Sequence, residues 1–199
     1  MADFRAVAAV SQAIVELLQE NYNPADFNNH QLEFKVYVAR EFTQPMNAGV
    51  SLFLYRIFAN GLRQAPPAPP GSGIQPNCTQ LPVDLHFLLT AWAQDASLQH
   101  TIAGWMMRVI EDTPTLPTGL LNQKYPNLFQ PDETIAIVAA ELSTEELFRI
   151  WEVIVNHAYQ ISVPYVARRV KIGSSRWQSA GRPVQERVFD LTRPGDDQP

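Results

Sequence analysis

The sequence predicts an α+β domain: a single mixed β-sheet of about five strands packed by two to four helices, with a C-terminal arm. Three observations carry this. The apolar run LPVDLHFLLTAWAQD at 81–95 leads into the amphipathic segment SLQHTIAGWMMRVIED at 97–112, and together they read as strand, turn and helix. Further runs at 32–38, 50–58, 134–140 and 159–172 have strand character. Helical patterns lie before the first of these runs and between the later ones.

The elements follow in order. Phe4, Val7, Ser11, Ile14, Leu18 and Tyr22 recur at three- and four-residue spacing. With Asp3 as N-cap and Asn23-Pro24 as the stop, they predict a helix of about five turns lying on a sheet. Leu32, Phe34, Val36 and Val38 alternate with Glu33, Lys35 and Tyr37, the period-two pattern of a half-exposed strand. VSLFLYRIF at 50–58 is apolar on both alternating faces except at Ser51 and Arg56, which predicts an interior strand covered on two sides.

APPAPPGSG at 65–73 breaks the pattern, because proline donates no ladder hydrogen bond and glycine brings no core side chain. It reads as a connector within an insertion at 61–80 and does not divide two domains, since neither flank alone closes a core. After the strand at 83–92, the helix at 97–112 is closed by Pro114. Residues 115–131 hold three prolines around a short apolar turn, Leu120-Leu121, and TIAIVAA at 134–140 is a strand. Ser143-Thr144-Glu145-Glu146 fits a capping box and starts a helix with Leu147, Ile150, Trp151 and Ile154 on one face. Tyr159 to Ile172 reads as a long final strand, and Pro164 predicts that it lies at an edge or is bulged there. Residues 1–172 thus form the domain. Residues 173–199 form a polar, basic arm anchored by Trp177, Val184, Val188, Phe189 and Leu191, with disorder expected after Arg193.

At 199 residues and 22.4 kDa the chain suits one domain with a substantial core. Its charged content of 18% is low, which fits either a surface covered by partners or one solvated by Asn, Gln, Ser and Thr. The net charge of −5 is unevenly spread. Seven of the fifteen basic residues fall within the last 32 positions, whereas the chain before residue 168 carries sixteen acids and eight bases. A basic end on an acidic body suits head-to-tail contact between copies. Nucleic acid ranks below protein as the partner, because the pI is near 5.3 and no nucleic-acid motif accompanies the arginines.

Cys78 is the only cysteine, which excludes an internal disulfide and a cysteine zinc cage. The first 22 residues are interrupted by Asp3, Arg5, Gln12, Glu16 and Gln19, unlike the apolar core of a signal peptide. No stretch approaches the roughly 18 apolar residues of a membrane span, and synthesis and folding in the cytoplasm are expected.

The scan for chemistry points to no catalytic, cofactor or metal site. His30, His86, His100 and His157 share no metal-ligand spacing. Asp84 and His86 are an i, i+2 pair able to share a strand face, but without a nucleophile a solvated or interface face is the better account. Glu111 and Asp112 point about 100° apart on a helix and are expected to bind loop amides or a basic neighbour. Trp105 with Met106 and Met107 reads as core. There is no glycine-rich phosphate loop, no GxSxG and no CxxC, so enzyme function is not expected.

Three segments carry more than their physics: LPVDLHFLLTAWA at 81–93, WMMRVIEDTPTLP at 105–117 and ELSTEELFRIWEVIVNHAYQISVPYVARRVKI at 141–172. In this order and spacing the chain resembles the N-terminal domain of the tail-terminator, or cap, proteins of extracellular contractile injection systems, which are phage-tail-like particles. It departs from them in the proline-rich insertion and in its brief C-terminus, where longer members have a further domain. The resemblance implies a structural protein without catalytic activity, assembled in the cytoplasm as a homo-hexameric ring on the last layer of inner tube and sheath, where it stops polymerisation at a set length. Its partners would be the inner-tube and sheath proteins, with no nucleic acid, no membrane span and no cofactor. Because sheath subunits of such particles exchange strands, a terminator is expected to offer a strand or arm to the last sheet. Arg168, Arg169 and Lys171 on the final strand, with Arg176, Trp177, Arg182 and Arg187 on the arm, are the candidate interface residues. A tube- or baseplate-associated adaptor of the same particle is the alternative, followed by a small-molecule-binding or enzymatic domain.

Overall fold

The computed structural model describes residues 2–60, 80–154 and 159–174. The chain runs α1 (Ala6–Glu20), β1 (Glu33–Tyr37), β2 (Gly49–Ala59), β3 (Gln80–Trp92), α2 (Ala96–Asp112), β4 (Thr115–Leu116), α3 (Thr118–Leu121), β5 (Ile135–Ala139), α4 (Thr144–Ile154) and β6 (Ser162–Gly173). Short 3-10 turns lie at Pro24–Phe27 and Ala39–Thr43. The six strands form one sheet in the order β1-β2-β3-β6-β5-β4. It is mixed because β1 and β2 run parallel while every other pair is antiparallel. The expected α+β class with a single mixed sheet is therefore observed, with β4 a two-residue addition.

Strand alternation divides β3 between two cores. Val83, Leu85, Phe87, Leu89 and Ala91 are buried in the larger one, under α1, α2 and α3. Leu88 and Trp92 face the other way, into a smaller aromatic cluster of Tyr37, Phe42, Met46 and Trp151. Leu147, Ile150 and Ile154 pack against that cluster, so the apolar face expected of α4 is the face it uses. Two polar pairs are buried between these layers: Trp92 Nε1 donates to Ser51 Oγ at 2.8 Å, and the Thr90 and Ser162 hydroxyls lie 2.9 Å apart. Pairing matters there, because a buried polar group without a partner costs about 1–3 kcal/mol.

Local chemistry sets the helix ends. Asp95 caps α2 by accepting the Leu98 N–H at 2.9 Å. At α4 the capping box forms as expected, with Glu146 N–H donating to Ser143 Oγ at 3.2 Å and Ser143 N–H donating to Glu146 Oε2 at 2.9 Å. Asp112 has a basic neighbour one helical turn back, accepting from Arg108 Nε at 3.1 Å. Helix α1 starts later than expected, at Ala6, because Asp3 takes the Arg5 N–H at 2.9 Å and holds a separate turn before it. Phe4, expected on its apolar face, is consequently 78% exposed. Beyond that turn α1 is buried around most of its circumference, since Ala6, Ala9 and Ala13 let it sit close to its neighbours.

Three strand expectations need correction. In β1 the buried residue on the smaller core is Tyr37, while Val36 and Val38 are exposed, because the turn at 39–43 folds back over the Tyr37 face. Strand β2 is covered on both sides only over its first half; Ile57, on the face of the larger core, and Phe58, on the opposite face, are both exposed. The final strand is not an edge: β6 lies between β3 and β5. Pro164 is tolerated there because its carbonyl accepts the Ala140 N–H at 2.9 Å, just beyond the last paired residue of β5. Its nitrogen points the same way, so the missing donor falls at the end of the ladder. In the larger core Met106 is fully buried but Met107 is 43% exposed. The proline-rich connector and the arm after Ser174 lie outside the described residues.

Candidate interaction surface

The three basic residues expected on the final strand are brought together by a β-bulge. Val83 pairs with Val170 and Leu85 with Ala167, so a single residue of β3, Asp84, faces two of β6, Arg168 and Arg169. Arg169 takes up the extra length in the left-handed region, at φ 57°. That conformation costs a residue with a Cβ about 1–2 kcal/mol. Asp84 answers the cost: its Oδ1 accepts the Arg169 N–H at 2.8 Å. A hydrogen bond to a charged group contributes about 1.5–3 kcal/mol, enough to offset the strain. At Pro164 itself, where an edge or a bulge was expected, β6 is in register with Leu88 and lies inside the sheet order.

The register then composes a surface. Leu85, Ala167 and Val170 turn into the larger core, so Arg168, opposite Ala136, and Lys171, opposite Pro82, lie on the other face. Arg56 of β2 stands opposite His86 on that face, and Phe58 stands opposite Asp84. The Arg56 guanidinium lies 5.2 Å from the centroid of the Phe58 ring. His86 packs edge-on against Tyr55, and burial, followed by Arg56, pushes its pKa below the usual histidine value while Asp84 opposes the shift. Asp84 and His86 therefore share a face without forming a dyad; Asp84 is occupied by a backbone amide. Arg56 and the role of Asp84 escaped the sequence reading. An acid inside an otherwise apolar strand run was the signal for the second, because such a group needs a specific donor.

Arg176, Trp177, Arg182 and Arg187 lie outside the described residues. The edge strands of the sheet are β1 and β4, and β1 covers only Gly49–Phe53 of β2. Glu33 N–H bonds to Ala48 O at 3.0 Å on the β2 side, which turns the backbone groups of Phe34 and Val36 outward. That edge is closed at both ends, where Leu32 N–H donates to Tyr22 Oη at 3.3 Å and Val38 N–H to Glu41 Oε2 at 2.7 Å. What stays open on β1 itself is two residues long, and among the described residues β2 beyond Phe53 has no partner strand on that side. Nearby, a groove of about 340 Å³ lies between α4 and β2, lined by Ala39, Phe53, Tyr55, Ile150, Val153 and Ile154 with Arg149. Among the described residues no group of three or more His, Cys, Asp or Glu is placed to hold a metal ion, and no helix is long and apolar enough to cross a membrane.

Comparison with known proteins adds to this geometry. The profile of the Pvc16 N-terminal domain family matches residues 9–186. Among solved structures, the chain is similar to the sheath/tube terminator of an extracellular contractile injection system, PVC, in its extended state, with a TM-score of 0.62 at 16% identity over 96% of this chain. It is also similar to the tube-terminating cap of the anti-feeding prophage, with a TM-score of 0.55 at 16% identity over 92% of this chain. The chain spans 65% and 60% of those two proteins. No curated protein sequence matches it.

Proposed function

Because the chain belongs to the Pvc16 N-terminal domain family, we propose that it is a structural terminator of a contractile injection particle, closing the end of the inner tube and sheath. The observation that carries this reading is the family match over 9–186, joined to a fold shared along nearly the whole chain with two proteins described as terminators. In the proposed mechanism copies assemble as a homo-hexameric ring. The ring matches the terminal layer on one face and lacks, on the other, the surface that recruits another layer, so growth stops at a set length. Assembly in the cytoplasm, before any release of the particle, completes the proposal. No step requires covalent chemistry.

Of the two elements the sequence offers for strand exchange with the sheath, the final strand and the basic arm, the strand is an interior one for part of its length. Strand β6 lies between β3 and β5, and β5 covers it only at Tyr165–Arg168, so what it can offer is confined to its end beyond Arg168. The open edge of β1, at Phe34 and Val36, the uncovered ends of β2 and β6, and the segment beyond Ser174 are routes for β-augmentation. The test is deletion of the gene from a cell that produces the particle, followed by electron microscopy. The expected result is sheaths and tubes of abnormal, scattered length, restored by the wild-type copy. Particles of normal, uniform length after deletion would overturn the proposal.

A further inference from the structure

We infer that the open half of the sheet's second face, carrying Arg56, Arg168, Arg169 and Lys171, is the surface on which the acidic body of a second copy of this chain docks, and that Asp84 is its positioning residue. The inference rests on the proposed ring and names the face through which neighbouring subunits meet. By register, Arg56 stands beside His86, Arg168 and Arg169 face Asp84 one step along β3, and Lys171 stands beside Pro82 a further step on. At about 4.8 Å between strands and about 6.8 Å between residues on one face, the patch spans roughly 10 by 14 Å at the backbone. Phe58, 46% exposed, supplies an apolar contact within it.

Charge accounting selects the occupant. The ion pairs among the described residues are Arg5 with Asp3, Lys35 with Glu33, Arg108 with Asp112 and Arg149 with Glu145. None of the four patch cations takes part in them, and the one carboxylate in their midst, Asp84, is bound to the Arg169 amide. The chain before residue 168 meanwhile carries twice as many acids as bases. One copy therefore holds both halves of a head-to-tail contact, a concentrated basic face and a surplus of carboxylates elsewhere, which is what a heterologous ring interface requires. The bulge matters because it sets Arg168 and Arg169 side by side against Asp84. Without it, strict alternation would send one of the pair toward the larger core.

The test is sedimentation velocity on the full chain at low and high ionic strength, with circular dichroism to verify folding. The wild type is expected to self-associate at low salt and to dissociate as screening shortens the Debye length from roughly 10 Å at 0.1 M to roughly 3 Å at 1 M. Combined Arg168→Glu and Lys171→Glu is expected to weaken association by about tenfold or more, while Arg40→Glu, an exposed cation outside the patch, leaves it unchanged. Asp84→Asn retains an acceptor for the Arg169 amide and is expected to preserve association; Asp84→Ala is expected to weaken it in a folded protein. A wild type that stays monomeric at low salt, a reversal variant that associates like wild type, or an Asp84→Ala chain that does so would overturn the inference. So would duplex DNA that binds the wild type, loses affinity in the reversal variant and blocks no self-association. Each of these leaves the terminator reading standing, since that reading is decided by tube and sheath lengths.

Discussion

Gly49→Ala is expected to destabilise the protein by several kcal/mol through a contact that side-chain analysis would not reveal. Gly49 opens β2 at φ 148°, a conformation that residues with a Cβ rarely adopt. A Cβ built there would lie 2.0 Å from Glu33 O and 2.7 Å from Glu33 N, both backbone atoms of the paired strand β1. Neither atom can swing aside as a flexible side chain would. Strain of about 1–3 kcal/mol at such a backbone position and a similar overpacking cost together suggest about 4 kcal/mol. For a domain of this size each kcal/mol lowers Tm by about 2–4 °C, so a fall of roughly 8–16 °C is expected. Gly104 is the internal control: it lies within α2 with nothing within 4 Å of a built Cβ, and Gly104→Ala is expected to stabilise by about 0.5–1 kcal/mol. The assay is thermal and urea unfolding followed by circular dichroism. A Gly49→Ala variant within about 1 kcal/mol of wild type would refute the placement of β1 against Gly49, and with it the free edge at Phe34 and Val36.

Three further outcomes are expected. Ser143→Ala removes the acceptor for Glu146 N–H and is expected to cost about 1 kcal/mol in urea unfolding, confined to the end of the sheet covered by α4. Trp92→Phe leaves the buried Ser51 hydroxyl without its donor and is expected to cost about 1–3 kcal/mol; a double-mutant cycle with Ser51→Ala should return part of that loss. His86 has a folded pKa below its unfolded value, so its contribution to stability is present above about pH 6.5 and is lost as pH falls through the folded pKa. Arg56 and Asp84 face it from β2 and from its own strand, and the Tyr55 ring packs against it. His86→Gln is expected to flatten the fall in urea midpoint between pH 7.5 and 5.5, and an unchanged slope would refute the burial of that ring.

The sequence by itself determined the elements whose signals are local. Capping chemistry places the α4 start at Ser143, and the amphipathic run at 97–112 marks α2 to within a residue of its observed start. Alternation along 83–92 separates one core face from the other. The family resemblance was legible for the same reason: it resides in the order of linear segments, and the family profile matches residues 9–186. What the linear pattern could not decide was which strands become neighbours. Pro164 looked like an edge signal because a missing N–H costs a ladder bond, yet in the folded chain that bond falls where β5 has ended. Arg168 and Arg169 read as two charges on an exposed strand, whereas the Asp84 carboxylate, eighty-five positions from Arg169 in the chain, sets the bulge that pairs them on one surface. Arg56 joined them only once β2 was aligned with β3. The tertiary structure decided these points because strand order and register depend on contacts between residues far apart in sequence, and no periodicity within a single segment encodes them.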